Sequence, residues 1–148
     1  MPVVRPFPAA RRVIMWELYR RFWTMNTFAA TPTPAIRGYH AHIYFARDTV
    51  AQARTLCEAA AQRFGAAMGR VHERPVGPHP DWSCQLAFGP AVFAQIVPWL
   101  AMHRNGLVVF VHPISDNELL DHTDRAMWMG AVRHLDLSVL SAGPGSLD

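Results

Sequence analysis

Histidines are the residues in this chain whose number and spacing best suit chemistry. There are eight in 148 residues, and His40 and His42 lie two positions apart in the run 39–45, which is rich in strand-forming residues. Alternate side chains of a strand point to the same face of its sheet. This spacing is typical of a chelating pair for iron, zinc, copper or nickel. The alternative is a pair of ordinary hydrogen-bonded residues.

Three further histidines lie at turns or near the end of a predicted strand. His79 is flanked by two prolines, His112 follows the predicted fourth strand, and His122 follows Asp121. The carboxylate of Asp121 either orients the His122 imidazole or belongs to a solvated turn.

The elements that must position these histidines follow the order β-α-β-β-α-β. Strands are predicted over 39–45, 69–75, 82–88 and 107–111, and helices over 48–65 and about 90–104. We expect Asp48 to be the N-cap of the first helix and Gly65 to end it. The order predicts an α+β, ferredoxin-like fold in which a four-stranded antiparallel sheet carries two helices on one face. A short helix around 124–131 and a fraying tail are predicted to follow.

Strand alternation and topology direct several histidines to one place. The apolar face of the first strand should meet the helices, which leaves His40, His42 and Tyr44 on the open face. In this fold the first and fourth strands are antiparallel neighbours, so His40 should lie near His112. His122 follows within ten residues. Three imidazoles within reach of one point would form a metal site.

For the second strand and the turn after it, the pattern leaves open which side chains lie on the open face of the sheet. If Val71 points to the helices, His72 and Arg74 lie on the open face. Glu73 then points inward, but a bulge would reverse this and make Glu73 a candidate carboxylate ligand. The turn that carries His79 belongs at the far end of the sheet. It reaches the site only if the loop folds over the open face, or if two sheets face each other in a dimer.

The composition narrows the classes of function. Residues 1–24 carry five arginines and one glutamate, whereas the rest of the chain carries nine arginines and ten acidic residues. A generally basic surface that binds nucleic acid is therefore poorly supported. No apolar run approaches the roughly 20 residues of a membrane span. The two cysteines, Cys57 and Cys84, indicate buried thiols in a reducing compartment, which we take to be the cytoplasm.

Residues 1–38 differ in character from the rest and are interpreted as an N-terminal extension. The stretch 13–28 is apolar but is interrupted by charges, and 29–35 is typical of an irregular linker. One interpretation is a start site assigned too early, with Met25 as the initiator. The other is a short amphipathic helix that covers the domain or contacts a partner. The domain itself is predicted over 39–140, with a tail over 141–148.

Five separated motifs resemble the DOPA 4,5-dioxygenase family, a ring-cleaving group found in fungi and bacteria. The resemblance extends over about residues 38–140. The motifs are YHAHIYF at 39–45, ERPVGPHP at 73–80, VPWL at 97–100, VHP at 111–113, and DHT at 121–123 followed by WMG at 128–130.

This resemblance implies an activity and a set of partners. The expected reaction is extradiol cleavage of a catechol such as L-DOPA by O₂, with non-haem Fe(II) as cofactor and zinc or another divalent metal as the alternative. The ferredoxin-like domain is expected to form a homodimer, in the arrangement of a dimeric α/β barrel.

The resemblance also implies roles for individual residues. A catechol must lose a proton before its ring opens, and a proton must later be returned, so histidines are needed for acid–base chemistry. An arginine can pair with a substrate carboxylate. The expected assignments are metal binding by His40, His42 and His112, acid–base chemistry or substrate contact by His79 and His122, and substrate binding by Arg74 and Tyr44.

Two other classes of function remain as alternatives. One is a non-catalytic protein of the same fold that binds a metal or a small ligand on its sheet face. The other is an RNA-binding module, which would need stacking aromatic residues on the open faces of the first and third strands. The third strand instead presents Ser83, Gln85 and Ala87 there, so we expect no nucleic-acid partner.

Overall fold

The computed structural model describes residues 34–147. The predictions for the N-terminal extension, an initiator at Met25 or an amphipathic helix, fall on residues that lie outside this range. Within the described range no helix combines the length and the apolar character needed to cross a membrane.

A five-stranded antiparallel sheet carries the histidines. Its strands are β1 (Gly38–Phe45), β2 (Ala67–His72), β3 (Trp82–Phe88), β4 (Val108–Ile114) and β5 (Met127–Met129). The strand order is β2-β3-β1-β4-β5. The first four strands therefore follow the predicted ferredoxin-like arrangement, in which β4 is the antiparallel neighbour of β1. The fifth strand extends the sheet at one edge.

Two helices cover one face of the sheet, as predicted. They are α1 (Val50–Phe64) and α2 (Phe93–His103). Ala41 and Ile43 of β1 are fully buried in one core with Cys57 of α1 and Leu100 of α2. Alternation in β1 then leaves its histidines on the opposite face.

The predicted start of the first helix is wrong, whereas its predicted end is confirmed. The helix begins at Val50 after Thr49, not at Asp48, because the Thr49 hydroxyl oxygen accepts the Ala46 N–H at 2.9 Å and closes a turn before the helix. Gly65 ends it in the left-handed region, at a φ of +68°, where glycine has no Cβ to clash.

The chain after β4 also differs from the prediction. β4 extends through His112 and Pro113, so His112 is a strand residue and not the first residue of a loop. The helix expected around 124–131 is wrong: a short helix, α3 (Glu118–Asp121), comes earlier, and β5 occupies part of that range. This segment forms a strand because its side chains alternate between the two faces of the sheet. Met127 and Met129 pack on the main core, while Trp128 packs on the opposite face.

A β-bulge shapes the edge strand β2. Met68 pairs with Leu86, but the next registered pair is Val71 with Cys84, so two residues of β2 lie opposite Gln85 alone. The strand also ends at His72 and does not continue to residue 75 as predicted.

Candidate metal centre and active site

Three imidazoles from the two central strands meet at one point. β1 contributes His40 and His42, and β4 contributes His112, the cross-strand partner of His40. One ring nitrogen of each lies within 4.8 Å of the other two, and the Nε2 atoms of His42 and His112 are 3.3 Å apart. All three side chains are buried. The structure thus brings together the three residues that the sequence predicts as metal ligands.

The hydrogen bonds around this triad leave nitrogen lone pairs for a metal ion. Nδ1 of His112 donates to the carbonyl oxygen of Pro113 at 2.8 Å, so we assign an unprotonated Nε2 to that ring. The buried Nε2 of His40 has no hydrogen-bond partner among the described residues. A buried polar atom without a partner is costly, and a shared metal ion would satisfy it. The donor set therefore fits a divalent metal that prefers imidazole.

Burial keeps the triad neutral, which is the form that binds metals. Burial is the main cause that lowers the pKa of His42 well below its ordinary value, and charge on His79 and His112 would lower it further. Burial also lowers the pKa of His112 to about 2. The pKa of His40 is lowered for the same reason, although a hydrogen bond with the backbone of Leu147 opposes the change.

His79 reaches the triad because the loop between β2 and β3 folds over the open face of the sheet. The N–H of His79 donates to Val76 at 3.2 Å, and the carbonyl oxygen of Pro78 accepts the N–H of Asp136 at 2.9 Å. The His79 ring lies 3.9 Å from that of His42, centroid to centroid. Of the two predicted ways in which His79 could reach the site, the structure has the folded loop, which needs only a single chain.

Tyr44 fixes the ring of His79. Its hydroxyl lies 2.6 Å from Nδ1 of His79, which is its only hydrogen-bond partner in the described part of the chain. A buried hydroxyl hydrogen needs an acceptor, so we assign Tyr44 as the donor and place the His79 proton on Nε2. Burial raises the pKa of Tyr44 and lowers that of His79 to about 4, which keeps both groups in these forms at neutral pH.

His122 has the opposite tautomer. Its Nδ1 donates to the carbonyl oxygen of Glu118 at 2.9 Å, which leaves Nε2 unprotonated. Its ring lies 3.9 Å from that of His112, centroid to centroid. Neither predicted role of Asp121 is found, because its buried carboxylate accepts the backbone N–H and the hydroxyl of Ser115 at 2.7 and 2.6 Å. Asp121 therefore holds the loop after β4 and does not orient the imidazole.

Phe110 is a residue of the site that the sequence motifs do not single out. It is fully buried, and its ring centroid lies between 5.4 and 6.0 Å from those of four histidines, His42, His79, His112 and His122. The signal that could have found it is alternation in β4, since Phe110 and His112 are two positions apart and share a face. An apolar ring beside the imidazoles favours their neutral forms.

One cavity of about 170 Å³ is shared by the five histidines, His40, His42, His79, His112 and His122. Gly145 and Ser146, from the predicted tail, form part of its wall. That tail is hydrogen-bonded to the domain: Gly143 accepts the N–H of Glu118 at 2.8 Å, and Gly145 accepts from the guanidinium of Arg37 at 2.7 Å.

The sequence profile of the Dopa 4,5-dioxygenase family matches residues 39–139, which include all five of these histidines. The chain belongs to this family. The matched range begins in β1, contains every other strand and helix of the fold, and ends before the hydrogen-bonded tail.

Individual relatives agree with this membership of the Dopa 4,5-dioxygenase family. The chain is 38% identical to an uncharacterised 21.2 kDa protein of Botryotinia fuckeliana, over 71% of this chain and 64% of that protein. It is 32% identical to DOPA 4,5-dioxygenase of Amanita muscaria, over 71% of this chain and 50% of that protein. The chain thus spans between half and two thirds of these relatives.

A solved structure shows the same fold. A crystal structure from Nostoc punctiforme, of a protein described provisionally as a dioxygenase, is similar with a TM-score of 0.69 and 38% sequence identity. The similarity covers 70% of this chain and 90% of that one. The architecture described above is therefore also that of this Nostoc punctiforme protein.

Three residues predicted for the site of this family member lie outside the histidine-lined cavity. Tyr44 lies next to His79 and is absent from the cavity wall. Glu73 and Arg74 are exposed in the loop after β2 and line neither of the two cavities that His42 and His79 share. Glu73 is also not part of the cluster of candidate metal ligands in the described residues. Substrate binding by Arg74 and Tyr44 stays a prediction.

Proposed function

We propose that this protein is a metal-dependent extradiol dioxygenase that cleaves the ring of a catechol such as L-DOPA with O₂. The observation that carries the proposal is the cavity in which three converging imidazoles lie beside two further histidines, each held by a hydrogen bond at its Nδ1. Membership of the Dopa 4,5-dioxygenase family supports this chemistry. Because the chain spans only part of its relatives, the substrate and the homodimeric state are part of the proposal.

Non-haem Fe(II) is the cofactor that we propose for the site, with zinc or another divalent metal as the alternative. His40, His42 and His112 would hold it, since imidazole is a good ligand for these metals. When bound, Fe(II) supplies coordination positions for the two catechol oxygens and for O₂. Three protein ligands leave such positions open.

The tautomers suggest a division of labour between the other two histidines. His122 has an unprotonated Nε2, so it is the group able to accept the proton that the catechol loses. His79 carries its proton on Nε2, so it is the group able to donate a hydrogen bond to a substrate oxygen. The proton that His122 takes from the catechol is then the one available for return as the ring opens. The bonds to Glu118 and Tyr44 hold these two rings in place before substrate arrives. Such positioned acid–base groups contribute about 10²- to 10⁴-fold to a rate.

Anaerobic reconstitution with Fe(II) tests the proposal. We expect about one iron per chain, oxygen uptake on addition of L-DOPA, and a coloured ring-fission product. The variant His42→Ala should lose most of the iron and the oxygen uptake, because a two-imidazole site binds iron weakly. Iron content is measured by atomic absorption and oxygen uptake with an electrode.

The matched control is His134→Ala, since His134 is an exposed histidine outside the cavity. This variant should keep iron and activity. Stoichiometric iron without uptake of oxygen on any of several catechols, including caffeate and protocatechuate, would contradict the enzymatic proposal. That result would favour the alternative, a non-catalytic protein that binds a metal or a small ligand.

A further inference from the structure

A second cavity adjoins the histidine-lined one. Its volume is about 430 Å³, and it lies over the edge of the sheet formed by β2 and β3. The two cavities share four lining residues, His42, Pro78, His79 and Gln85. Because the smaller cavity of about 170 Å³ is lined by the candidate metal ligands, a substrate held there by its reacting end can extend into the larger one.

The β-bulge in β2 determines which side chain enters this second cavity. Gly69 and Arg70 both lie opposite Gln85, between the core-facing residues Met68 and Val71. Without the bulge, Met68 and Val71 could not both face the core, and a strand that kept Met68 there would turn Arg70 inwards as well, because alternate residues share a face. With it, both bulge residues line the cavity, and Gly69 contributes no side chain. The bulge therefore places a guanidinium at the open face.

The charge of this second cavity is positive. Among residues 34–147, Arg70 carries the only formal charge in its lining, since no aspartate or glutamate of that range lines it. The ion pairs found among residues 34–147 involve Arg125 and Arg133, so Arg70 has no carboxylate partner in the described part of the chain. The imidazole of His72, which is half-buried, lies on the same wall. An exposed, unpaired guanidinium beside a cavity is suited to a carboxylate ligand.

We propose that Arg70 is the specificity-determining residue of the site and that it binds a carboxylate on the side chain of the catechol substrate. This inference rests on the proposed function, and it limits the substrate to catechols that carry an anionic side chain. The catechol ring lies among the histidines, and the side chain extends past His42 and His79 towards Arg70. The sequence motifs favour Arg74 for this contact, but Arg74 lines neither cavity.

Binding without turnover tests this inference. The full chain is reconstituted with Fe(II) without oxygen, and calorimetry compares 3-(3,4-dihydroxyphenyl)propionate with its methyl ester, which lacks the charge. We expect the wild-type protein to prefer the acid. Arg70→Met should weaken binding of the acid about tenfold to 100-fold, as is usual for loss of a charged hydrogen bond. Binding of the ester should change less than about threefold, and Arg70→Lys should restore part of the preference.

Arg63→Met is the matched control, because Arg63 lies in the last turn of α1 against Phe64 and lines neither cavity. It should bind both compounds as the wild type does. An unchanged acid-to-ester ratio in Arg70→Met would overturn the inference, as would a loss of preference in Arg74→Met instead.

The two proposals fail in different ways. If Arg70 controls the preference for the acid but no catechol consumes oxygen, the inference about Arg70 stands and ring cleavage is rejected. If catechols are cleaved but acid and ester bind equally well, ring cleavage stands and the inference is overturned. If neither compound binds, both are rejected.

Discussion

Tyr44 shows how a residue can serve the site without lining it. Its side chain is buried in a cluster with Val108 and Phe110, and its hydroxyl is directed at Nδ1 of His79. The ring position of His79 therefore depends on a residue anchored in the sheet and not only on the loop that carries His79. A loop histidine without such a bond would sample other rotamers.

Tyr44→Phe should lower kcat about tenfold to 100-fold, because His79 loses the bond that fixes its tautomer and orientation. The substitution keeps the aromatic packing, so iron content should equal that of the wild type. Steady-state oxygen uptake with L-DOPA and iron analysis measure the two quantities. Tyr39→Phe is the control, since Tyr39 stacks on Phe88 and Phe93 in the other core. A kcat equal in both variants would contradict the role given to Tyr44.

At the residue scale, the sequence indicates which histidines lie together but not which groups orient them. The pattern His40-Ala41-His42 and the antiparallel pairing of β1 with β4 suffice to place His40 beside His112. The bond from Tyr44 to His79 depends on the path of a loop that is not periodic, so no spacing in the sequence indicates it. Alternation about Val71 places Arg70, His72 and Arg74 on the same open face, so it cannot distinguish the two arginines. The end of β2 at His72 makes the difference, since Arg74 then lies in the loop and Arg70 stays in the strand.

At the scale of elements, the short helix α3 positions His122. The N-cap Asn117 accepts the N–H of Leu120 at 3.0 Å, and the carbonyl oxygen of Glu118 holds the imidazole. Asp121, at the end of this helix, bonds back to Ser115 just after β4. The helix is only four residues long, so these bonds and not helix propensity must hold it.

Asp121→Asn should therefore destabilise the protein by about 2–3 kcal/mol, because a buried acceptor of charged and neutral donors is replaced by a group that also carries N–H donors. Urea unfolding followed by tryptophan fluorescence measures the free energy of unfolding. Asp116→Asn is the control: Arg125 contacts Asp121 at 3.1 Å and Asp116 at 3.2 Å, but 68% of the Asp116 side chain is exposed. This substitution should change the free energy of unfolding far less than Asp121→Asn does, because an exposed ion pair contributes little to stability. An equal decrease in the free energy of unfolding in both variants would show that the buried bonds to Ser115 contribute no more to stability than an exposed ion pair.

The long elements are predictable from the sequence because each is periodic over many residues. The wrong helix around 124–131 shows the limit, since the three residues of β5 are too few for a period of two to stand out. The tail over 141–148 is polar and rich in glycine, which is typical of frayed ends. Residues of this tail are nevertheless hydrogen-bonded to Glu118 and Arg37. These bonds could not be predicted, because the two partners lie far from the tail in the sequence.

At the scale of the whole molecule, the candidate metal centre joins two strands that are about seventy residues apart in the chain. His40 and His42 lie in the first strand of the fold, and His112 lies in the fourth. The site therefore exists only when the central pair of strands has formed. A ligand that binds the folded chain and not the unfolded one stabilises the folded chain by mass action.

Addition of Fe(II) without oxygen, or of Zn(II), should consequently raise the melting temperature of the metal-free protein. At a metal concentration 100 times the dissociation constant the gain is about 2.7 kcal/mol, which for a domain of this size corresponds to roughly 5–10 °C. Differential scanning calorimetry measures the shift. Mg²⁺ should give almost none, since it prefers oxygen ligands. The variant His42→Ala separates binding at the triad from weak binding elsewhere: a shift as large as that of the wild type would show that the metal stabilises the fold from another site.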